Sequence, residues 1–237
     1  MSKKIVITGG LGYIGTELCK IYSGESWRNQ ITVIDNRFAS ERVNQLRNWS
    51  INFVHADIRD SKNVKHFLKE ADIIHHLAGI TDVARTKEES NFEKDKELND
   101  VAEKGTSVVL YESSENCKII FPSTHVIFEG KRDIEKDIEE DCEKFPVLSY
   151  GIGKDKNEEQ IKESKKNYVI LRLASVYGYS TDAMRLNIMP NLFSKISSQN
   201  GTIKLFAGGK QLKCLVPLVD AARCFKFVEE RDDIKFQ

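Results

Sequence analysis

The sequence predicts an α/β protein built on a doubly wound parallel sheet. Three observations lead there. Short apolar runs rich in β-branched residues recur along the 237 residues, each is followed by a longer segment of helical periodicity, and a glycine-rich turn joins the first run to the first helix. Strands apolar on both faces need cover on both sides, and right-handed crossovers put helices there.

The elements follow in order. Residues 5–8 (IVIT) make a first strand and 14–22 a helix; 31–35 and 43–49 repeat the pair, as do 53–57 and 63–70. A fourth strand at 73–78 leads to a long helix over 88–113, a fifth at 118–123 leads to a helix over 150–164, and a sixth lies at 168–173. Residues 87–104 mix both charges at three- and four-residue spacing, as the solvated face of a long helix does. Residues 130–147 have a similar composition but follow a strand and run into Pro146, so an exposed loop is expected. Beyond Gly178 the texture changes to a helix, a short strand and another helix. The expected division is therefore a sheet domain over 1–178 and a smaller lobe over 179–237.

Composition narrows the function. Lys and Arg number 36 and so do Asp and Glu, a formal net charge of zero that disfavours a nucleic-acid or membrane-surface binder. Apolar residues reach 40%, enough for a core, and no run approaches the length of a membrane span, so a soluble cytoplasmic protein is expected. The five cysteines are scattered and never spaced as C-x-x-C; reduced thiols and no metal site are the expectation.

The turn ITGGLGYIGTEL places Gly9, Gly12 and Gly15 three residues apart between a strand and a helix. That spacing suits a tight turn, close approach of backbone to a pyrophosphate, and close packing of helix on strand, with the helix N-terminus facing the anion. Twenty residues beyond Gly15, Asp35 ends the second strand, where a carboxylate accepts hydrogen bonds from ribose hydroxyls and repels a 2′-phosphate. NAD is thus preferred to NADP. Arg37 beside it is the one feature that would accommodate that phosphate.

Tyr150 and Lys154, four apart at the start of a helix, share a face. A phenol titrates near pH 10, so acid–base work near neutrality needs a neighbouring cation, which the lysine supplies. One loop earlier, Ser123 and Thr124 offer hydroxyls at the carboxyl end of a strand, where ligands of open α/β sheets bind.

Taken together, TGGLGYIG, Asp35, ADI at 56–58, HLAG at 76–79, Asn99 followed by GT, PST and YGIGK resemble the extended short-chain dehydrogenases/reductases, in particular the NAD-dependent nucleotide-sugar epimerase/dehydratase group. The resemblance covers about residues 4 to 228 and implies a Rossmann domain. It assigns Gly9, Gly12, Tyr13, Ile14 and Gly15 to the pyrophosphate, Asp35 and Asn36 to the adenosine ribose, Asp57 and Ile58 to the adenine, and Leu77 and Ala78 to the nicotinamide side. Asn99 would support the hydrogen-bond network, Thr124 and Tyr150 would act on the substrate, and Lys154 would hold the nicotinamide ribose. Asn187 and Lys213 would contact the nucleotide diphosphate.

The sequence also departs from that pattern. His125 and Val126 replace the acidic pair of the sugar dehydratases, which disfavours that reaction. Phe128, Ser175 and Lys213 stand where tyrosine, asparagine and arginine are usual, so substrate identity is the open variable. Related chains continue past the VDAA segment, so the small lobe is expected to be truncated. The leading expectation is an NAD-dependent nucleotide-sugar epimerase, possible as a homodimer through the helices that carry Asn99 and Tyr150. STHVIFEG, similar to a stretch of deoxysugar-nucleotide ketoreductases, makes a keto-sugar nucleotide reductase the runner-up. A dinucleotide sensor or scaffold without turnover is the alternative of another class.

Overall fold

A computed structural model describes residues 2–24, 30–81, 87–131, 136–180 and 183–236. Its main sheet carries β1 (Lys4–Thr8), β2 (Gln30–Asp35), β3 (Asn52–His55), β4 (Ile73–His76), β5 (Lys118–Thr124) and β6 (Asn167–Leu173) in the order β3-β2-β1-β4-β5-β6. Every adjacent pair is parallel. The direction of winding therefore reverses between β1 and β4, and a crevice opens at the carboxyl ends of those two strands.

Period-two alternation sends side chains to two separate cores. Ile5, Ile7, Ile31, Val33 and Ile120 face one way, against Leu18, Cys19 and Tyr22 of α1 (Tyr13–Tyr22). Val6, Ile34, Ile74 and Ile119 face the other, against Val64 and Leu68 of α3 (Ser61–Glu70) and Val109 of α4 (Phe92–Glu112). Helix α2 (Ser40–Asn48) adds Leu46 to the first core, and α5 (Ser149–Glu163) packs along α4, with its Asn157 donating to the carbonyl of Ala102 at 2.9 Å. The face that α4 and α5 share is laced with charge, including a Lys156–Glu103 pair at 2.7 Å.

The element ends differ from sequence expectation for local reasons. Strand β3 stops at His55 because the Asp57 carboxylate accepts from the backbone N–H of Arg59 at 2.9 Å and turns the chain. Helix α4 starts at Phe92 rather than 88, since Asn91 caps it by accepting from the N–H groups of Glu93 and Lys94; a short 3-10 turn holds 87–89. The charged segment after β5 lacks helix and strand over 136–147, and residues 132–135 lie outside the described residues.

Past Gly178 lie α6 (Met189–Ser198) and α7 (Leu218–Glu230), and the small parallel pair β7 (Ser175–Tyr177) and β8 (Leu215–Pro217) joins this region to the end of β6. Helix α7, beyond the expected boundary at 178, packs on α1 and sends Phe225 and Val228 into the first core. Its Glu229 accepts from the Tyr22 hydroxyl and lies 2.7 Å from Nε2 of the fully buried His75. His76 is equally buried, its ring nitrogens bonded to Thr8 and Thr106. Burial pushes both imidazoles down to about 3, so they are neutral hydrogen-bonding residues of the core. Among the described residues no cluster of His, Cys, Asp and Glu is placed to hold a metal, and no helix is long and apolar enough to cross a membrane.

Candidate active site

A cleft of about 890 Å³ opens at the switch point between β1 and β4. Its floor is the glycine turn. Gly9 has φ +70°, and a Cβ on it would lie 2.7 Å from the Cα and N of Ala78; one on Gly15 would lie 2.6 Å from the carbonyl oxygen of Gly9. Only glycine permits this approach, which leaves the N-terminus of α1 facing the cleft. The loop after β4 is held against the turn by Thr8, whose hydroxyl oxygen accepts from Ala78 N at 3.2 Å while its carbonyl accepts from Leu77 N at 3.1 Å.

At one end stands Asp35, 5% exposed. Its Oδ2 accepts from Leu11 N at 3.0 Å and its Oδ1 from Arg37 N at 3.0 Å and Arg37 Nε at 3.2 Å. The carboxylate thus braces the glycine turn from within, and the Arg37 guanidinium lies where a ribose hydroxyl would compete for it. Asp57 and Ile58 line the same end together with Asn36. Arg59 grips Asp57 through two side-chain hydrogen bonds, holding that carboxyl at about 2, and reaches Asp100 of α4 at 2.8 Å.

At the other end β5 and α5 bring the three side chains expected to act on the substrate and hold the nicotinamide ribose into the cleft. Thr124 ends β5, Tyr150 and Lys154 lie one turn apart on α5, and all three line the cleft. The two hydroxyls of the PST stretch separate. Ser123 donates to the fully buried Glu158, whereas Thr124 accepts from Val126 N at 3.3 Å, which leaves its O–H to donate into the cleft. Lys154 donates to the carbonyl of Pro122 at 2.7 Å and lies 4.2 Å from the centre of the Phe121 ring. Burial pulls its pKa down to about 7, opposed by the Glu158 carboxylate.

Tyr150 is pushed above its ordinary value by burial, and the charge that opposes this is Arg185. The sequence expectation that Lys154 lowers the phenol pKa is thus replaced here: the amine is 5.9 Å from the ring centre and turned to a backbone carbonyl. Asn187 and Lys213 line the far side of the cleft with Arg185, whose guanidinium donates to the Thr81 carbonyl at 2.8 Å.

Of the residues expected from sequence, Gly9, Gly12, Tyr13, Ile14, Gly15, Asp35, Asn36, Asp57, Ile58, Leu77, Ala78, Thr124, Tyr150, Lys154, Asn187 and Lys213 all line this one cleft. Asn99 does not; it sits behind Gly153 of α5, its Oδ1 buried with no hydrogen-bond partner among the described residues, while Glu97 and Val101 of the same helix reach the wall. Sequence reasoning missed Arg185, Glu158 and Glu129. Glu158 had a signal, being the next residue in the Tyr150, Lys154 register, and it meets Arg172 through bonds of 3.0 and 2.8 Å. Glu129 accepts from Val147 N and Leu148 N at the entry to α5, a contact no local pattern announces.

A dinucleotide turn facing a tyrosine and lysine one helical turn apart marks the short-chain dehydrogenases/reductases of the extended type. The chain belongs to the NAD dependent epimerase/dehydratase family, whose pattern matches residues 5–235. A UDP-N-acetyl-alpha-D-glucosaminuronate decarboxylase of Bacillus cytotoxicus is 24% identical over 235 residues, 93% of this chain and 69% of its own length. UDP-arabinose 4-epimerase 1 of Arabidopsis thaliana is 28% identical over 187 residues, 73% of this chain and 43% of that one. A probable low-salt glycan biosynthesis reductase, Agl14 of Haloferax volcanii, is 30% identical over 152 residues, 63% and 49% respectively. The chain therefore spans less than half of the latter two. Among solved structures, UDP-glucuronic acid 4-epimerase from Bacillus cereus, in complex with UDP-glucuronic acid and NAD, superposes with a TM-score of 0.82 at 22% identity, over 96% of this chain and 73% of that one.

The family cofactor is NAD, and the cleft fits it. The glycine cradle excludes even a methyl group, a buried carboxylate ends β2, and the volume lies near the upper end for ligand sites.

Proposed function

We propose that the protein is an NAD-dependent epimerase of a nucleotide-diphosphate sugar. The observation that carries this reading is the single cleft in which Thr124, Tyr150 and Lys154 face the glycine turn while Arg185, Asn187 and Lys213 line the opposite wall. NAD bound there supplies a hydride acceptor that returns what it takes. Gly9, Gly12, Tyr13, Ile14 and Gly15 would hold its pyrophosphate, Asp35 and Asn36 the adenosine ribose, Asp57 and Ile58 the adenine, Leu77 and Ala78 the nicotinamide side, and Lys154 the nicotinamide ribose.

The chain's own residues then handle one proton. The Thr124 O–H donates to the oxygen of the reacting sugar carbon and fixes it, and Tyr150, acting as the phenolate, takes the proton from that oxygen as the carbon is oxidised to a ketone. The ketone turns over in the cleft, and the same phenol returns the proton to its oxygen when the carbon is reduced on the other face. Arg185 favours the phenolate by its charge, opposing the effect of burial. Asn187 and Lys213 hold the diphosphate, so that the sugar can rotate while the nucleotide stays. Pairing of two copies through α4 and α5 belongs to the same proposal; the charges on that face make it salt-sensitive, which sedimentation reads.

Epimerisation consumes no cofactor, and this gives the test. The protein with NAD is incubated with UDP-, dTDP- and CDP-sugars and followed by NMR, with absorbance tracking NADH. Interconversion of one epimer pair with no net NADH supports the reading; no conversion of any sugar by protein that binds NAD contradicts it. Stoichiometric oxidation of NADH or NADPH with a keto-sugar nucleotide would instead favour a reductase, the reading supported by the Agl14 likeness and by STHVIFEG.

A further inference from the structure

Behind the cleft wall, a closed ring of hydrogen bonds ties the glycine turn to the C-terminal lobe. Its hub is Asn191 in the first turn of α6, 5% exposed and not itself part of the cleft lining. The Asn191 Oδ1 accepts from Gly178 N at 3.0 Å. Its Nδ2 donates to the Tyr13 hydroxyl oxygen at 3.2 Å and to the Arg185 carbonyl at 2.9 Å, and Tyr13 in turn donates to the Gly178 carbonyl. Both amide hydrogens are used, and the contact with the Arg185 carbonyl fixes which way the amide points.

The partners of this one side chain belong to the two halves of the cleft. Tyr13 opens α1 directly after Gly12, with its ring packed against Val176, Leu218 and Ala221. Arg185 lies in the segment that also presents Asn187 to the far wall. A displacement of the turn at Tyr13 is therefore felt at Arg185 through a single buried amide, in surroundings where losing a partner is costly.

We propose that Asn191 is a positioning residue that couples the two halves: a dinucleotide seated on the glycine turn orders the segment carrying Arg185 and Asn187, so that a nucleoside diphosphate binds more tightly after it. The proposal rests on the reading of the cleft given above. By linkage the coupling is reciprocal, and the nucleoside diphosphate tightens the dinucleotide by the same factor. Ordered binding follows from it, because the substrate end is assembled only when the cofactor end is filled.

Hydrogen exchange of the full chain with and without NADH tests this, in wild type, in Asn191→Ala and in Asn191→Asp, which keeps the acceptor for Gly178 N but loses the amide that donates to Tyr13 and to the Arg185 carbonyl. In wild type NADH slows exchange over residues 9–15 and slows it about tenfold over residues 183–191. In Asn191→Ala the effect at 9–15 remains while that at 183–191 falls below about twofold. Should Asn191→Ala not fold, Asn191→Asp is expected to show the same split. Equal NADH effects at 183–191 in wild type and variant overturn the coupling and leave the dinucleotide site standing. So does a variant that exchanges faster at 183–191 with the NADH ratio unchanged, which is what a merely structural role gives. No NADH effect at 9–15 in wild type overturns the reading of the cleft, and the coupling with it.

Discussion

Tyr150 and Lys154 suffer opposite consequences of the same burial: the phenol is pushed up and the ammonium is pulled down to about 7. In the proposed mechanism Tyr150→Phe removes the proton carrier alone, and turnover is expected to fall by about 10² to 10⁴ while NADH affinity by fluorescence titration stays within about twofold. The lysine also gives a stability signature. Between about 7 and the ordinary 10.5, the unfolded chain binds a proton that the folded protein does not, so stability rises with pH across that window and the full cost is carried below it. Lys154→Met is thus expected to stabilise the fold at about pH 6, the gain shrinking toward about pH 10, as read by urea unfolding at both. A gain that grew with pH would contradict this. The positions of Thr124, Tyr150 and Lys154 were legible in the sequence because strand end and helix face fix them. The partners Arg185 and Glu129 were not, since each acts through a loop whose path no periodicity records.

Among the elements, all six sheet strands and the five helices between them were legible, because strands covered on both faces read as short continuous apolar runs and the segments between them keep a helical apolar period. Their ends were less so: Asp57 and Asn91 reset them through side-chain hydrogen bonds to the next N–H groups. Helix α7 shows another limit. Its amphipathic pattern suits the small lobe and the main core equally, and what decides is the meeting of Glu229 with Tyr22 and His75, residues 207 and 154 positions away. Phe225, fully buried in the core shared with α1, measures that allegiance. Phe225→Ala is expected to lower the stability of the main unfolding transition by about 3–5 kcal/mol. A loss below about 1 kcal/mol, or a separate early transition confined to the C-terminal region, would show that α7 stands apart from the sheet.

At the scale of the whole molecule, a sheet that reverses its winding between β1 and β4 opens a crevice, and the segments after Gly178 wall it opposite the glycine turn. The balanced charge read in the sequence fits the proposed site, in which anionic ligands would meet a helix N-terminus and the placed cations Arg185 and Lys213 rather than a basic surface. The cleft was legible as a cofactor site from the glycine spacing between a strand and a helix together with Asp35, whereas the substrate was not, because the opposite wall is built from loops and from residues such as Ser175 and Lys213 that depart from the pattern the resemblance implies. The central claim is that one carbon of a nucleotide sugar is oxidised and reduced again without losing its hydrogen to water. The most direct measurement uses a nucleotide sugar deuterated at the carbon that inverts, with C4 the first position to test, incubated with the protein and NAD in ordinary water. Retention of the deuterium on that carbon in the product epimer is the predicted result; its replacement by hydrogen from the solvent would contradict the claim.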